Sequence, residues 1–334
     1  MNNQVGSTID FYNIQFYNQG GTTYDSYDTL FRKSNGWSTG TSVKQIIDSG
    51  VPMNKVVVGK PATQNDASNT GTVSTIDLGN WCVRAYQEFN WAAGVMFWQY
   101  KSDADGTLMN NAASALMKAA NITPIPIDNT IPDNTITPPA PTPTPTPIIP
   151  PAPPAPTPTP IDNTIVPVVD PTVVIPANQK INYPIRFIYV DFLNGWWPAT
   201  TIAAGMGVPG YAPPHTYNYI ALAFWTYNGG VDIAKIWSNP TMFMGTDSTF
   251  GSTDNTIRTS LKAAYNNNGI KVLVSAFGAT EMPTNKDPLD VASKLAKFVL
   301  DYNLDGCDID YEDNAAMEAG IAEAWLISLT RKLR

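Results

Sequence analysis

Asp308, Asp310 and Glu312 stand at every second position of the run Asp305-Gly306-Cys307-Asp308-Ile309-Asp310-Tyr311-Glu312. Successive residues of a strand point to opposite faces, so this spacing sets the three carboxyls on one wall, about 7 Å from one to the next. Like charges held that close in a site of low dielectric cannot all ionise, and at least one pKa must rise. A carboxylic acid kept protonated at neutral pH can then donate its proton to a leaving oxygen. A calcium-binding acid cluster or a solvated edge strand would use the same residue types. Against both, Leu304, Cys307 and Ile309 suit a buried strand, and the turn glycine of a helix-loop calcium site is missing.

The run fills every fixed position of the pattern D-G-x-D-x-D-x-E. It resembles the signature of glycoside hydrolase family 18, the chitinases and their relatives. The resemblance implies a TIM-type (β/α)8 barrel with the acidic run as its fourth strand. It implies that Glu312 protonates the leaving glycosidic oxygen, that Asp310 holds the substrate N-acetyl group, and that Asp308 tunes Asp310. The implied reaction is retaining and substrate-assisted, with the acetamido oxygen as nucleophile, so no second enzyme carboxylate at the usual separation is required. No cofactor and no metal is implied.

Elements that could hold these acids in place are legible on both sides of a compositional break. After it, residues 187–191, 219–224, 271–276 and 307–312 read as strands, with helical patterns at 256–266 and 290–302. Before it, 9–17, 55–59 and 95–99 read as strands, with helices at 42–48, 77–89 and 108–120. Regular alternation of this kind argues α/β architecture with parallel strands. The break itself, residues 123–176, is dominated by Pro, Thr, Ile and Val, and it contains no Lys, Arg or aromatic residue. It repeats Pro-Ile-Asp-Asn-Thr-Ile at Pro126 and Pro160, and it reads as an extended, disordered linker.

The resemblance also orders the pieces, and the order is permuted. Residues 177–334 resemble barrel strands one to four, with Tyr189 and Phe224 at the first two strand ends and Ser275-Ala276-Phe277-Gly278 at the third. Residues 1–122 resemble strands six to eight, through Gln15-Phe16-Tyr17-Asn18, Gly59-Lys60-Pro61-Ala62 and Gly94-Val95-Met96-Phe97-Trp98. The expected product is a permuted, incomplete barrel of about seven strands without strand five. A window cut from a tandem protein, or a circular permutation, would produce it. The resemblance implies that Tyr17 hydrogen-bonds the acetamido carbonyl, that Gln15 holds the sugar, and that Trp98 floors the central subsite, with Tyr189 and Phe224 beside it. Core packing is the plain alternative for Trp98, and a polar inner layer for Gln15 and Tyr17. Phe277 departs from the family, which usually has glycine there.

Composition narrows the classes further. The single histidine, His215, stands in a Pro-Pro-His-Thr loop and reads as an ordinary loop residue, so a Ser-His-Asp triad or a multi-histidine metal site is hard to assemble. A net charge of -8 argues against nucleic acid and anionic membrane surfaces as partners. No apolar run reaches the length of a membrane span. Cys82 and Cys307 make no disulfide framework, and Cys307 is expected to point away from the barrel interior. Trp196, Trp197 and Trp225 are further candidates for sugar contact, with burial in the barrel wall as the equal alternative.

The expected activity is hydrolysis of β-1,4-linked N-acetylglucosamine polymers, with chitin or its oligosaccharides as partner. A glycan-binding module with little turnover is the competing class, since an incomplete barrel threatens catalytic precision. Another barrel domain or chain is a candidate source of the missing strand. No signal peptide is read before Met1, yet family habit and the Thr/Pro tract point to a secreted parent. The sequon Asn121-Ile122-Thr123 adds a weak hint of glycosylation.

Overall fold

A computed structural model describes residues 1–103, 105–121, 181, 183–191, 217–246, 250–267 and 269–334. The Pro/Thr-rich segment 123–176, His215, Trp196 and Trp197 lie outside the described residues.

Eight strands are present among them: β1 (Tyr12–Gln15), β2 (Val56–Pro61), β3 (Gly94–Trp98), β4 (Ile185–Val190), β5 (Tyr219–Thr226), β6 (Gly229–Gly230), β7 (Lys271–Phe277) and β8 (Gly306–Asp310). Seven form one path in the order β1-β2-β3-β4-β5-β7-β8, and the two-residue β6 pairs antiparallel with β5. Every neighbouring pair along the path is parallel. The sheet with its flanking helices is an incomplete α/β barrel, as expected from the alternation of elements.

One pairing joins the two flanks of the chain. Met96 of β3 stands opposite Phe187 of β4, so the strands before and after the Pro/Thr-rich segment share a single sheet. Gly94 makes that junction possible. Its φ is +125°, and a Cβ there would lie 2.1 Å from the Ile185 carbonyl oxygen, so a residue with a side chain would push β3 and β4 apart.

Burial follows position in the sheet. β2 and β4 are buried along their whole length, as strands covered on both faces must be, and their sequences are correspondingly rich in Val and Ile. β1 and β8 stand at the two ends and are only half-buried. The acidic strand is therefore an edge strand, the position that a barrel without strand five leaves to strand four: its outer side has no sheet partner among the described residues.

The helices follow from local signals. Helix Val43–Asp48 begins at a capping box in which Ser42 and Gln45 satisfy each other's backbone donors. Helix Pro288–Asp301 starts with Asp287 as its cap and proline in its first turn, where the missing N–H costs nothing. Helix Thr75–Phe89 packs on Thr107–Ala119, and Pro288–Asp301 packs on Ala322–Leu333. No helix among the described residues is long and apolar enough to cross a membrane.

Candidate active site

The parallel strands deliver their carboxyl ends to one side, and there the eight residues singled out in the sequence meet. Gln15, Tyr17, Trp98, Tyr189, Phe224, Asp308, Asp310 and Glu312 all line one cavity of about 1190 Å³. The same cavity runs along the opening between β1 and β8, where Asn13, Cys307 and Ile309 also border it.

Asp308 is the innermost acid. Its Oδ2 accepts from the Tyr189 hydroxyl at 2.9 Å and from the Ser275 hydroxyl at 2.8 Å. Burial pushes its carboxyl above the usual range, and these two hydroxyls pull the other way by stabilising the carboxylate. Asp310, two residues on, accepts from the Gln15 amide at 2.9 Å. Burial, followed by the charges of Asp308 and Glu312, raises its pKa to about 8, while the Gln15 hydrogen bond opposes the rise. The expectation from spacing alone, that one acid of the set keeps its proton at neutral pH, falls on Asp310.

Glu312 does not belong to the strand. β8 ends at Asp310, two residues earlier than the predicted end, because Tyr311 turns to Thr284 and the Glu312 carbonyl accepts from the Asn314 amide at 2.8 Å. Glu312 still faces the cavity, and its charge contributes to the raised pKa of both Asp310 and Tyr17.

Tyr17 sits just beyond β1, which ends at Gln15, two residues before the predicted end. It is buried, and burial together with Asp310, Glu312 and Asp66 holds its phenol far above the ordinary value, so the hydroxyl is a neutral donor at any physiological pH. The adjoining backbone is fixed by Lys60 of β2. This ammonium is fully buried and donates to the carbonyls of Phe16, Tyr24 and Gly71 at 2.9, 2.7 and 2.9 Å. Burial lowers its pKa to about 7, against the pull of Asp25.

An aromatic floor completes the cavity. Trp98 stacks on Phe224 with ring centroids 6.0 Å apart and 20° between planes, and its indole also leans on Tyr189 at 5.6 Å. The peptide bonds Trp98–Gln99 and Ala223–Phe224 at these strand ends are cis. Trp225 is buried and meets Phe277 edge-on at 6.1 Å, which fits the second of its two readings, packing in the barrel wall. Cys307 and Cys82 are free thiols, and burial raises the Cys307 pKa to about 12.

Several residues that line the cavity, and Ser275, which is buried behind it and bonds to Asp308, were not read as functional from the sequence. Ser275 lay inside the quoted third-strand run, and alternation along that strand places it on the same face as Phe277. Asn13 shares the face of Gln15 by the same rule. Asp66, Asp191 and Asp232 border the cavity from loops and a helix start, and no local pattern marks them.

No family model matches the chain, and no curated protein matches it. Among solved structures, the chain is similar to a GH18 chitinase from Pseudoalteromonas aurantia, with 31% identity and a TM-score of 0.26. The match covers 36% of this chain and 43% of that one, so this chain spans less than half of the solved structure's length.

Proposed function

We propose that the chain is a glycoside hydrolase acting on β-1,4-linked N-acetylglucosamine polymers by a retaining, substrate-assisted reaction. The observation that carries this reading is a carboxyl, Asp310, that keeps its proton to about pH 8 between two other acids in a cavity floored by stacked aromatic rings. An apolar ring surface such as Trp98 on Phe224 suits the face of a pyranose, and acids at its side suit proton donation to a glycosidic oxygen.

In this reading Glu312, which lines the cavity just beyond the end of β8, donates its proton to the leaving oxygen. Asp310 accepts the N–H of the substrate acetamide and aligns its oxygen for attack on the anomeric carbon. The bond to the leaving oxygen breaks as the acetamido oxygen bonds to that carbon from the opposite face. Water, deprotonated by Glu312, then opens the cyclic intermediate and restores the starting configuration. The neutral Tyr17 hydroxyl donates to the acetamido carbonyl, and the Tyr189 and Ser275 hydroxyls favour the ionised form of Asp308, against burial, so that it can share a proton with Asp310. A secreted parent fits a polymeric substrate of this kind.

Oligosaccharides of N-acetylglucosamine and of glucosamine, compared by proton magnetic resonance of the freshly released anomer, test the reading. The acetylated series is expected to yield the β anomer first, and the series without the acetyl group is expected to remain intact. Equal cleavage of both would remove the acetamido group from the mechanism.

A further inference from the structure

Lys60 of β2 is fully buried, and its ammonium donates to three backbone carbonyls, those of Phe16 at 2.9 Å, Tyr24 at 2.7 Å and Gly71 at 2.9 Å. An ammonium carries three N–H donors, so all of them are in use. Burial of a cation is costly, and it lowers this pKa to about 7, opposed by the charge of Asp25. The packing of β2 does not require that cost, since Val56, Val57 and Val58 fill the same strand with buried apolar side chains. Nor does Lys60 border the cavity. Gly59 stands opposite Gln15 in the β1–β2 register, and Gln15 faces the cavity, so the next residue along β2 points to the outer side of the sheet.

The three carbonyls surround Tyr17. Phe16 precedes it in the chain, and β1 has already ended at Gln15. Gly71 meets it in space, where a Cβ would lie 2.5 Å from the Tyr17 Cα. Tyr24 lies in the loop that follows, with its ring edge-on to Phe16 at 5.2 Å. The Asn18 amide donates to the Thr70 carbonyl at 2.7 Å, so residues 16–18 and 70–71 run side by side. We propose that Lys60 is a positioning residue, which draws the backbone before, after and beside Tyr17 to one point and so aims the Tyr17 hydroxyl into the cavity without itself touching substrate. The part that hydroxyl plays in turnover rests on the function proposed above; the tie between Lys60 and the Tyr17 backbone does not. Without the ammonium, three buried carbonyls lose a donor, and they recover hydrogen bonds only by moving.

A double-mutant cycle on the full chain, with the N-acetylglucosamine hexamer as substrate, tests this. Lys60→Met keeps the stem and removes the donors, and Tyr17→Phe removes the hydroxyl. Each change alone is expected to lower kcat about 100-fold with KM within about threefold, and the two together should fall no further than Tyr17→Phe alone. Losses that multiply, or an unchanged kcat in Lys60→Met, would overturn the positioning role. Where Lys60→Met does not fold, Lys60→Arg carries the same cycle: it keeps charge and donors on a longer head, and it is expected to retain about a tenth of kcat with the same lack of additivity. Full kcat in that variant would count against the role. Hydrogen exchange reads the tie without turnover. The Asn18 amide is expected to exchange at least tenfold faster in the Lys60 variant, while the amides of Val57 and Val58 keep their rates; an equal change at all three, or none, would overturn the tie. Faster exchange at Asn18 in a chain that releases no reducing ends would keep the tie and sink the hydrolytic reading alone. Turnover with multiplying losses would do the reverse.

Discussion

The Gln15 amide donates to Asp310 Oδ1 at 2.9 Å, although the two residues are 295 positions apart and belong to the opposite ends of an open sheet. This bond spans the gap between β1 and β8 from the inside. Outside it, Arg334 pairs with Asp10 at 2.6 Å and Arg331 donates to Gln4 at 2.9 Å. The Gln15 bond favours the ionised form of Asp310 and so restrains a pKa that burial and two neighbouring acids push up. Gln15→Leu is expected to raise the Asp310 midpoint further, by about one unit if the bond is worth about 1.5 kcal/mol. Carboxyl carbon magnetic resonance across a pH series reads it, and an unmoved or lowered midpoint would contradict the assignment.

Stability should carry the same signature. Asp310 titrates near 8 and Asp103 near 6 in the folded chain, both above the ordinary aspartate value of about 3.9. A carboxyl that holds its proton longer when folded makes the folded state the more protonated one, so stability falls as pH rises through that window. The melting temperature is expected to decline from pH 5 to about pH 7; above that Lys60, whose buried ammonium loses its proton near 7 in the folded chain, adds stability as pH rises and opposes the fall. Asp310→Asn should make the decline shallower throughout and leave below pH 6 only the share of Asp103, which caps the helix Thr107–Ala119 through the amides of Leu108 and Met109. A melting temperature that rises over this range would contradict both assignments.

Tyr17 depends on a glycine far from it in sequence. Gly71 has φ of +103°, and a Cβ there would lie 2.5 Å from the Tyr17 Cα. Gly71→Ala is expected to cost about 2 to 5 kcal/mol of stability, the sum of backbone strain and overpacking. Where the variant remains folded, displacement of Tyr17 should lower turnover more than oligosaccharide affinity. Equal melting temperature and turnover in the two chains would show that Tyr17 is held by other means.

Phe277 sets backbone strain against packing at the end of β7. Its φ of +80° is uncommon for any residue with a side chain and costs about 1 to 3 kcal/mol. The ring is fully buried between Trp225 at 6.1 Å and Trp325 at 6.0 Å, and emptying such a site costs about 3 to 5 kcal/mol. Packing should win, so Phe277→Gly is expected to lower the melting temperature despite the relieved backbone. A stabilised variant would mean that strain dominates.

The sequence made the alternation of elements legible because strands with Val, Ile and Phe runs and helices with caps carry their signals locally. It made the acids legible because a two-residue period means one face. What escaped it depends on distant meetings. Nothing local to Asp308 says that its strand ends the sheet; that came from the order of the resembling segments and the missing strand five. Glu312 read as a strand residue because alternation continues past Asp310, whereas the turn of Tyr311 toward Thr284 is a tertiary contact. Lys60 and Gly71 gave no hint of serving Tyr17, since the loops they fix come from separate parts of the chain.

Glu312→Gln, followed by released reducing ends and calorimetry on the N-acetylglucosamine hexamer, tests the central claim most directly. The change keeps the shape of the side chain and removes its dissociable proton. Turnover is expected to fall by roughly 10² to 10⁴, while affinity stays within about threefold of the unaltered chain. Turnover equal to that of the unaltered chain, or binding without hydrolysis in both, would contradict the account; the second outcome would leave a glycan-binding module in place of an enzyme.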